Sequence, residues 1–274
     1  MSKIWKLFTN KGSTASYALL TAVFTVVPED CFKLIVFNDK WQDSTNILLN
    51  RLIICVMVFA IANVGYAIFR KNRKKVSING SNYKIQVEYG DLLEVTGGKV
   101  VIDFDECFTT NVGSAPGDIK PESVCGQYLK KHPIDDLQGL IDKTDVKSAK
   151  GKSEYKGKTR YTLGTIIPNN DFLLMAFAKL DRDGLGHLTY EEYTECLNVL
   201  WQQIDKYHGT SDVYMPILGS KITRFDKELT QQELLDIIIN SYRLSSKKLR
   251  EPCRLHIVCR EREGFSLNDV YGVE

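Results

Sequence analysis

Residues 212–224 read Asp212-Val213-Tyr214-Met215-Pro216-Ile217-Leu218-Gly219-Ser220-Lys221-Ile222-Thr223-Arg224. The apolar half predicts a short buried strand, Val213–Leu218, running into a Gly-Ser turn. A helix is predicted a few residues on, Leu229–Leu244, with Thr230 as N-cap and Glu233 three residues later completing a capping box. Strand, small-residue turn and helix start together point backbone N–H groups outward, where they can hold a phosphate. Gly219 lets the main chain approach a ligand, and Ser220 adds little bulk.

Outward from this stretch, period-two alternation marks Tyr83–Tyr89 as a strand, and Lys99–Phe104 reads as a second. Arg160–Pro168 and Phe172–Ala178 read as adjacent strands joined at Asn169-Asn170-Asp171, and Arg254–Cys259 as a final one. Helices are predicted from Ser123 toward Lys131, from Pro133 to Asp142, and over Tyr190–Tyr207, which is amphipathic. Lys143–Lys158 is polar, Lys- and Gly-rich and aperiodic, so it reads as a mobile loop whose charge could help draw in an anion. Alternating strands and helices predict an α/β sheet covered on both faces.

The first 70 residues differ in kind. Leu52–Phe69 is LIICVMVFAIANVGYAIF, 18 residues without a charge. That is about the length a helix needs to cross a bilayer. An earlier apolar run, Ala15–Val27, is broken at Pro28-Glu29-Asp30 and resumes as Cys31–Phe37. Lysines precede the first run, and Arg70-Lys71-Asn72-Arg73-Lys74-Lys75 follows the second. The expectation is a transmembrane hairpin in residues 1–75, with spans near 15–37 and 47–69, both ends cytoplasmic and the connection outside. Asn63, with Ala60, Ala62, Gly65 and Ala67, could form a close helix–helix face. Residues 76–274 would be a cytosolic domain. The chain has 274 residues and a formal charge of +2. Its seven scattered cysteines lack CxxC spacing, which fits free thiols in a reducing compartment better than a disulfide framework.

Asp181–Glu192 carries much of a calcium-loop pattern: Asp at positions one and three, Gly at six, Glu at twelve. Leu185 at position five supplies no oxygen, and a polar loop capping the helix from Thr189 is the favoured reading. No metal is expected.

Three stretches, Tyr89-Gly90-Asp91-Leu92, Ser123-Val124-Cys125-Gly126-Gln127 and Pro216–Lys221, occur in the order found in macro domains, over roughly residues 80–262. Behind a membrane hairpin, the chain resembles the transmembrane–macro effectors of type II Thoeris antiphage defence. The resemblance implies a macro-like three-layer α/β/α domain with a mixed sheet. It implies a ligand, an ADP-ribose conjugate, histidine-ADP-ribose in the first place, made from NAD by a TIR-domain protein. Binding would drive homo-oligomerisation and disruption of the bacterial inner membrane, ending in cell death or growth arrest. The partners implied are the messenger, the TIR protein as its source and the lipid bilayer, with no nucleic acid.

Carried over, the resemblance places Asp91 at the adenine amino group. Ser123, Gly126 and Gln127 fall near the distal ribose and its conjugated group, and Gly219, Ser220, Lys221 and Ile222 on the diphosphate. Arg224 could reinforce that loop by charge. Leu92, Leu218 and Thr223 are expected among the ligand-binding residues beside them. Catalytic relatives end their second strand in an Asn-containing segment, whereas this chain reads Ile102-Asp103-Phe104-Asp105-Glu106. The departure favours a ligand-sensing effector with no catalytic residue. The alternatives are a membrane-tethered ADP-ribosyl hydrolase using those acids as general bases, and a calcium-responsive membrane protein.

Overall fold

The computed structural model describes residues 8–38, 40–115, 117–220 and 223–270, which fall in two compact units, Met1–Arg73 and Lys74–Glu274. In the first, α1 (Lys11–Val26) and α2 (Asp43–Lys71) form a helical hairpin. Asn10 caps α1 by accepting from the Ser13 N–H at 2.9 Å. Between the helices the Asn63 Oδ1 accepts from Asn10 Nδ2 (2.8 Å) and Ser13 Oγ (3.2 Å), while its amide donates to the Phe59 carbonyl at 2.9 Å. Gly12 brings the backbones together: a Cβ there would lie 2.8 Å from Tyr66 Cβ and 3.0 Å from the Ala62 carbonyl. Gly65 has open space around it and takes no part in that approach.

The outer faces are apolar, with Leu52, Val56, Ile61, Val64 and Ile68 all more than half exposed. α2 is long and apolar enough to cross a membrane, and none of its most apolar 18-residue window is buried. The α-helical part of the stretch expected as the first span, 15–37, is α1 alone. It stops at Val26, because Pro28 disfavours helical geometry in the residue before it. A 3₁₀ turn, Glu29–Phe32, follows, and residues 33–36 are irregular. This stretch is tied to α2 by two side chains. Asn50 accepts from the Ile35 N–H and donates to its carbonyl (3.2 and 2.7 Å). Asn46 accepts from the Phe37 N–H at 3.0 Å and donates to the Asn38 carbonyl at 3.3 Å.

The second unit contains, in order, β1 (Lys75–Asn79), β2 (Lys84–Tyr89), β3 (Gly98–Asp105), α3 (Val124–Lys131), α4 (Leu137–Asp142), β4 (Ser148–Lys152), β5 (Thr159–Tyr161), β6 (Ile166–Asn169), β7 (Phe172–Leu180), β8 (Gly186–Leu188), α5 (Tyr190–Tyr207), β9 (Asp212–Pro216), β10 (Arg224–Phe225), α6 (Gln231–Leu244) and β11 (Leu255–Cys259). Among the described residues the main sheet runs β1-β2-β11-β9-β3-β7-β8-β10, with β6 also on β7. From β2 to β7 neighbours are parallel; β1 is antiparallel to β2, β6 and β8 are antiparallel to β7, and β10 is parallel to β8. This is the mixed, three-layer α/β/α architecture expected. α5 and α6 bury Leu200, Trp201, Leu235 and Ile238 with Val87, Val101 and Met215 on one face. α3 and α4 bury Tyr128, Leu129 and Ile141 with Ile102, Phe104 and Leu174 on the other. Strands covered on both faces read as continuous apolar runs, which is why FLLMAFAKL in β7 lacks alternation.

Trp201 joins α5 to α6 by donating its indole N–H to Ser241 Oγ at 2.8 Å, with its ring against Tyr242. Both helices open with full capping boxes, Thr189 with Glu192 and Thr230 with Glu233. His256 on β11 lies between Glu88 of β2 (2.8 Å) and Asp212 of β9 (3.3 Å), stacked on Tyr214.

Two expectations change, and a third stretch gains a strand. Lys143–Lys158 is not a featureless loop, since β4 pairs with β5 as a separate antiparallel hairpin. Arg160–Pro168 is two strands, broken by a turn whose Gly164 has φ +86° and packs against the α5 backbone. The stretch after Asp181 forms β8, paired to β7, and Asp181 Oδ1 accepts from the Asp183 and Leu185 N–H groups (2.9 and 2.8 Å). The Glu192 carboxylate is committed to the Lys179 ammonium and the Thr189 N–H, so both ends of the supposed calcium loop satisfy its own surroundings.

Candidate ligand cleft

Parallel strands β2, β11, β9, β3 and β7 bring their carboxyl ends to one edge, where α/β sheets bind ligands. Two clefts open there. The start of α3 is the wall they share: Val124 lines the first, Ser123 and Cys125 the second.

The first cleft lies over the ends of β2, β9 and β11. Its apolar walls are Leu92, Val124, Pro216, Ile217 and Val258, and its polar rim is Glu122, Ser220, Gln231, Arg260 and Arg262. Apolar walls with a few convergent polar groups suit a nucleobase joined to a charged tail. Asp91 stands beside it without lining it. One carboxylate oxygen caps the turn Leu92–Glu94 by accepting from the Leu93 N–H at 3.0 Å; the other lies 3.8 Å from Arg260 Nη2. Leu92 is buried in the wall.

The turn after β9 has the shape that its Gly-Ser pair requires. Gly219 has φ +79°, and a Cβ there would sit 2.6 Å from the Phe225 ring, so a larger residue meets both strain and a clash. Leu218 is wholly buried, its carbonyl accepting from the Tyr193 hydroxyl at 3.3 Å. Ser220 lines the first cleft, and its carbonyl accepts from Arg262 Nη1 at 2.8 Å. Lys221 and Ile222 lie outside the described residues.

The second cleft lies over the ends of β3 and β7, and Ser123, Thr223 and Arg224 line it. Ser123 Oγ accepts from the Gly126 N–H at 2.9 Å as the N-cap of α3 and donates to the Lys120 carbonyl. Gly126 lines neither cleft. A Cβ there would fall 2.2 Å from the Lys120 carbonyl, so its work is to let α3 lie against residues 120–121. Gln127 is also outside the lining, its amide donating to the Glu122 carbonyl at 2.9 Å. Of the expected residues, then, Leu92 and Ser220 line the first cleft and Ser123, Thr223 and Arg224 the second. Leu218, Gly219, Gly126 and Gln127 shape the walls.

The three acids ending β3 separate. Asp105 is buried and accepts from the Cys107 and Thr109 N–H groups; Glu106 is buried and accepts from the Ser153 hydroxyl at 2.6 Å. Both hold the loop together. Asp103 lines the second cleft, and among the described residues its carboxyl has no partner beyond its own N–H, so burial pushes it up to about 6. Burial also pushes the Cys107 thiol up to about 11 and the Cys125 thiol well above its usual range, so neither is a nucleophilic thiolate.

Sequence reasoning passed over Arg260, Arg262, Gln231 and Glu122. The signal was Arg260-Glu261-Arg262 directly after the last strand, at the edge where the other strands end.

A mixed sheet between two helical layers, with a divided cleft at the carboxyl ends of its parallel strands, defines an α/β ligand-binding domain of macro type. A family model, "Thoeris protein ThsA, Macro domain", matches residues 85–260. The chain is 30% identical over 258 residues to the Thoeris protein ThsA of Bacillus amyloliquefaciens (strain Y2), covering 90% of this chain and 85% of that protein. It belongs to the Thoeris ThsA family of antiphage defence proteins. Among solved structures it is similar to a mutant of the Oceanobacillus iheyensis macrodomain (10% identity, TM-score 0.44, 69% of this chain and 91% of that one). The same macrodomain with ADP is also similar (10% identity, TM-score 0.37, 69% and 89%).

Proposed function

We propose that the chain is a membrane-bound effector whose macro domain senses an ADP-ribose-derived messenger. The messenger is a histidine-linked conjugate that a TIR-domain protein makes from NAD. The observation that carries this reading is the divided cleft. Its apolar half with Arg260 and Arg262 suits an adenine and its diphosphate, and its second half, past Ser123, suits the distal ribose and the conjugated group. The 29-residue α2 and the hairpin it forms with α1 support anchorage in the bacterial inner membrane, both termini cytoplasmic. Three residues separate Lys71, at the end of α2, from Lys75, at the start of β1. Occupancy shifts the protein toward an oligomer that disrupts the bilayer, by as much as the messenger prefers that state. Calorimetry on the full chain in lipid nanodiscs tests the reading, with ADP-ribose and its histidine conjugate as titrants. Heat with the conjugate and a ligand-dependent rise in particle mass are expected, and a flat titration with both ligands defeats the proposal.

A hydrolase is the second reading, favoured by Asp103 alone. A carboxyl near 6 in a cleft is poised for proton transfer. Mass spectrometry of the conjugate after incubation with the protein decides between them. Sensing predicts intact conjugate; release of ADP-ribose, lost in Asp103→Asn, establishes the enzyme.

A further inference from the structure

We infer that the segment after β11 forms the cationic wall of the first cleft: Arg262 holds the Leu218–Ser220 turn in shape, and Arg260 turns from Asp91 to the diphosphate of the ligand. The inference rests on the ADP-ribose reading of the cleft and assigns that reading two residues. Arg262 lies beyond the matched family region, and Arg260 is its last residue.

The segment is firmly seated. Phe265, Leu267 and Val270 are buried in the main core, the Phe265 ring meets Tyr89 edge-on at 6.0 Å, and Gln232 donates to the Asp269 carbonyl at 3.2 Å. From that footing Arg262 reaches back to the Ser220 carbonyl at 2.8 Å. The residue it grips adjoins Gly219, which sits in the left-handed region against Phe225. A guanidinium fixed to this carbonyl holds the Leu218–Ser220 main chain in place, and so sets where the Gly219 and Ser220 N–H groups point. Arg262 is thus a positioning residue.

Arg260 is placed differently. Its 3.8 Å separation from Asp91 is too long for a hydrogen bond, and both side chains are more than a third exposed. Such a pair is weak and easily redirected. A diphosphate offers two charges and several acceptors, and Arg recognises that geometry with paired N–H groups. Moving Arg260 onto the diphosphate also releases the Asp91 oxygen it faces, leaving it to accept from a base amine. Gln231, on the same cleft, has a buried Oε1 with no hydrogen-bond partner among the described residues, an acceptor for a ribose hydroxyl or a base amine.

The test is calorimetric titration of ADP-ribose into the full chain in nanodiscs at low and high salt, for wild type and for Arg260→Ala, Arg260→Lys, Arg262→Ala and Arg262→Lys. Arg260→Ala should weaken binding about tenfold and flatten its salt dependence, with Arg260→Lys keeping the slope. Arg262→Ala should weaken binding with the slope unchanged, and Arg262→Lys should recover part of the loss. Melting temperatures measured alongside separate these effects from misfolding. Wild-type binding with unaltered affinity and salt slope in Arg260→Ala overturns the role of Arg260. An Arg262→Lys variant as weak as Arg262→Ala, at wild-type melting temperature, overturns that of Arg262. A wild-type protein that binds neither ADP-ribose nor its histidine conjugate removes the reading of the cleft itself, and this inference with it.

Discussion

The two units of this chain solve opposite problems. In the second, apolar side chains are inside: Ile85, Val87, Val101, Leu173 and Met215 are wholly buried, and the buried acids Asp105 and Glu106 each serve a loop. In the first, Ser13, Ser16, Asn46 and Asn50 are buried while Leu48, Leu52, Val56 and Ile61 face outward. Burial alone therefore does not separate core from surface; on the proposed membrane reading, the medium does. Where water surrounds the fold, apolar contact holds it together. Where lipid surrounds it, lipid is as apolar as leucine, and helices are held by close backbones and hydrogen bonds.

That contrast can be broken at either end. The largest effect is expected from Trp201→Ala, which empties the contact between α5 and α6 and should cost about 3–5 kcal/mol. Denaturant unfolding of the second unit, followed by circular dichroism on the full chain in nanodiscs, reads it; a loss under about 1 kcal/mol would mean that this core is not close-packed. Val56→Arg on the outward face of α2 comes next. A charge near a helix centre in lipid costs roughly 2.5–3.5 kcal/mol. The variant should fail to stay with membranes on carbonate extraction, whereas undiminished retention would make α2 a water-facing helix.

The Asp103 effect is smaller and has a sign. The folded protein holds that proton up to about 6 against an ordinary 3.8. Its contribution is therefore most favourable below pH 3.8, declines as pH rises toward 6, and stays lost above it. Each tenfold change in a protonation equilibrium is worth about 1.4 kcal/mol, and water in the cleft screens part of it, so the penalty at neutral pH is on the order of 2 kcal/mol. Asp103→Asn should stabilise the second unit at pH 7 and flatten that part of the pH profile in thermal melts. A variant with the wild-type slope would place the titration elsewhere. The smallest effect belongs to Asn63→Leu, which removes two hydrogen bonds between α1 and α2, worth about 0.6 kcal/mol each. Steric-trapping measurements on the hairpin should find it loosened yet still inserted.

Much of the macro unit was legible because its signals are local. Thr230 with Glu233, and the uninterrupted apolar run of β7, announce a cap and a doubly covered strand without help from distant residues. The turn at Gly219 was legible for the same reason. What failed was whatever depends on partners far along the chain. β10 is two residues long and exists because β8 lies beside it; β8 itself was hidden in a stretch that imitates a calcium loop. Gly126 resembles a ligand contact in sequence, yet it is small because Lys120 lies on it. Arg260 and Arg262 carry no pattern of their own, and only the sheet order shows that the chain leaves β11 at the mouth of the cleft. Asn46 and Asn50 look, in sequence, merely like polar company for an apolar run.

Those two asparagines have a further consequence. Among residues 35–38, four main-chain groups already have amide partners from α2, and the side chains of Leu34 to Phe37 face outward, apolar and unsheltered. Peptide in this state carries its own substitute for hydration. The ordinary objection to irregular backbone in oil, that its amides go thirsty, loses most of its force here. On the proposed membrane reading, a stretch that is neither helix nor strand can thus settle at the edge of a bilayer, and the proposed first crossing need not be counted in helical turns alone.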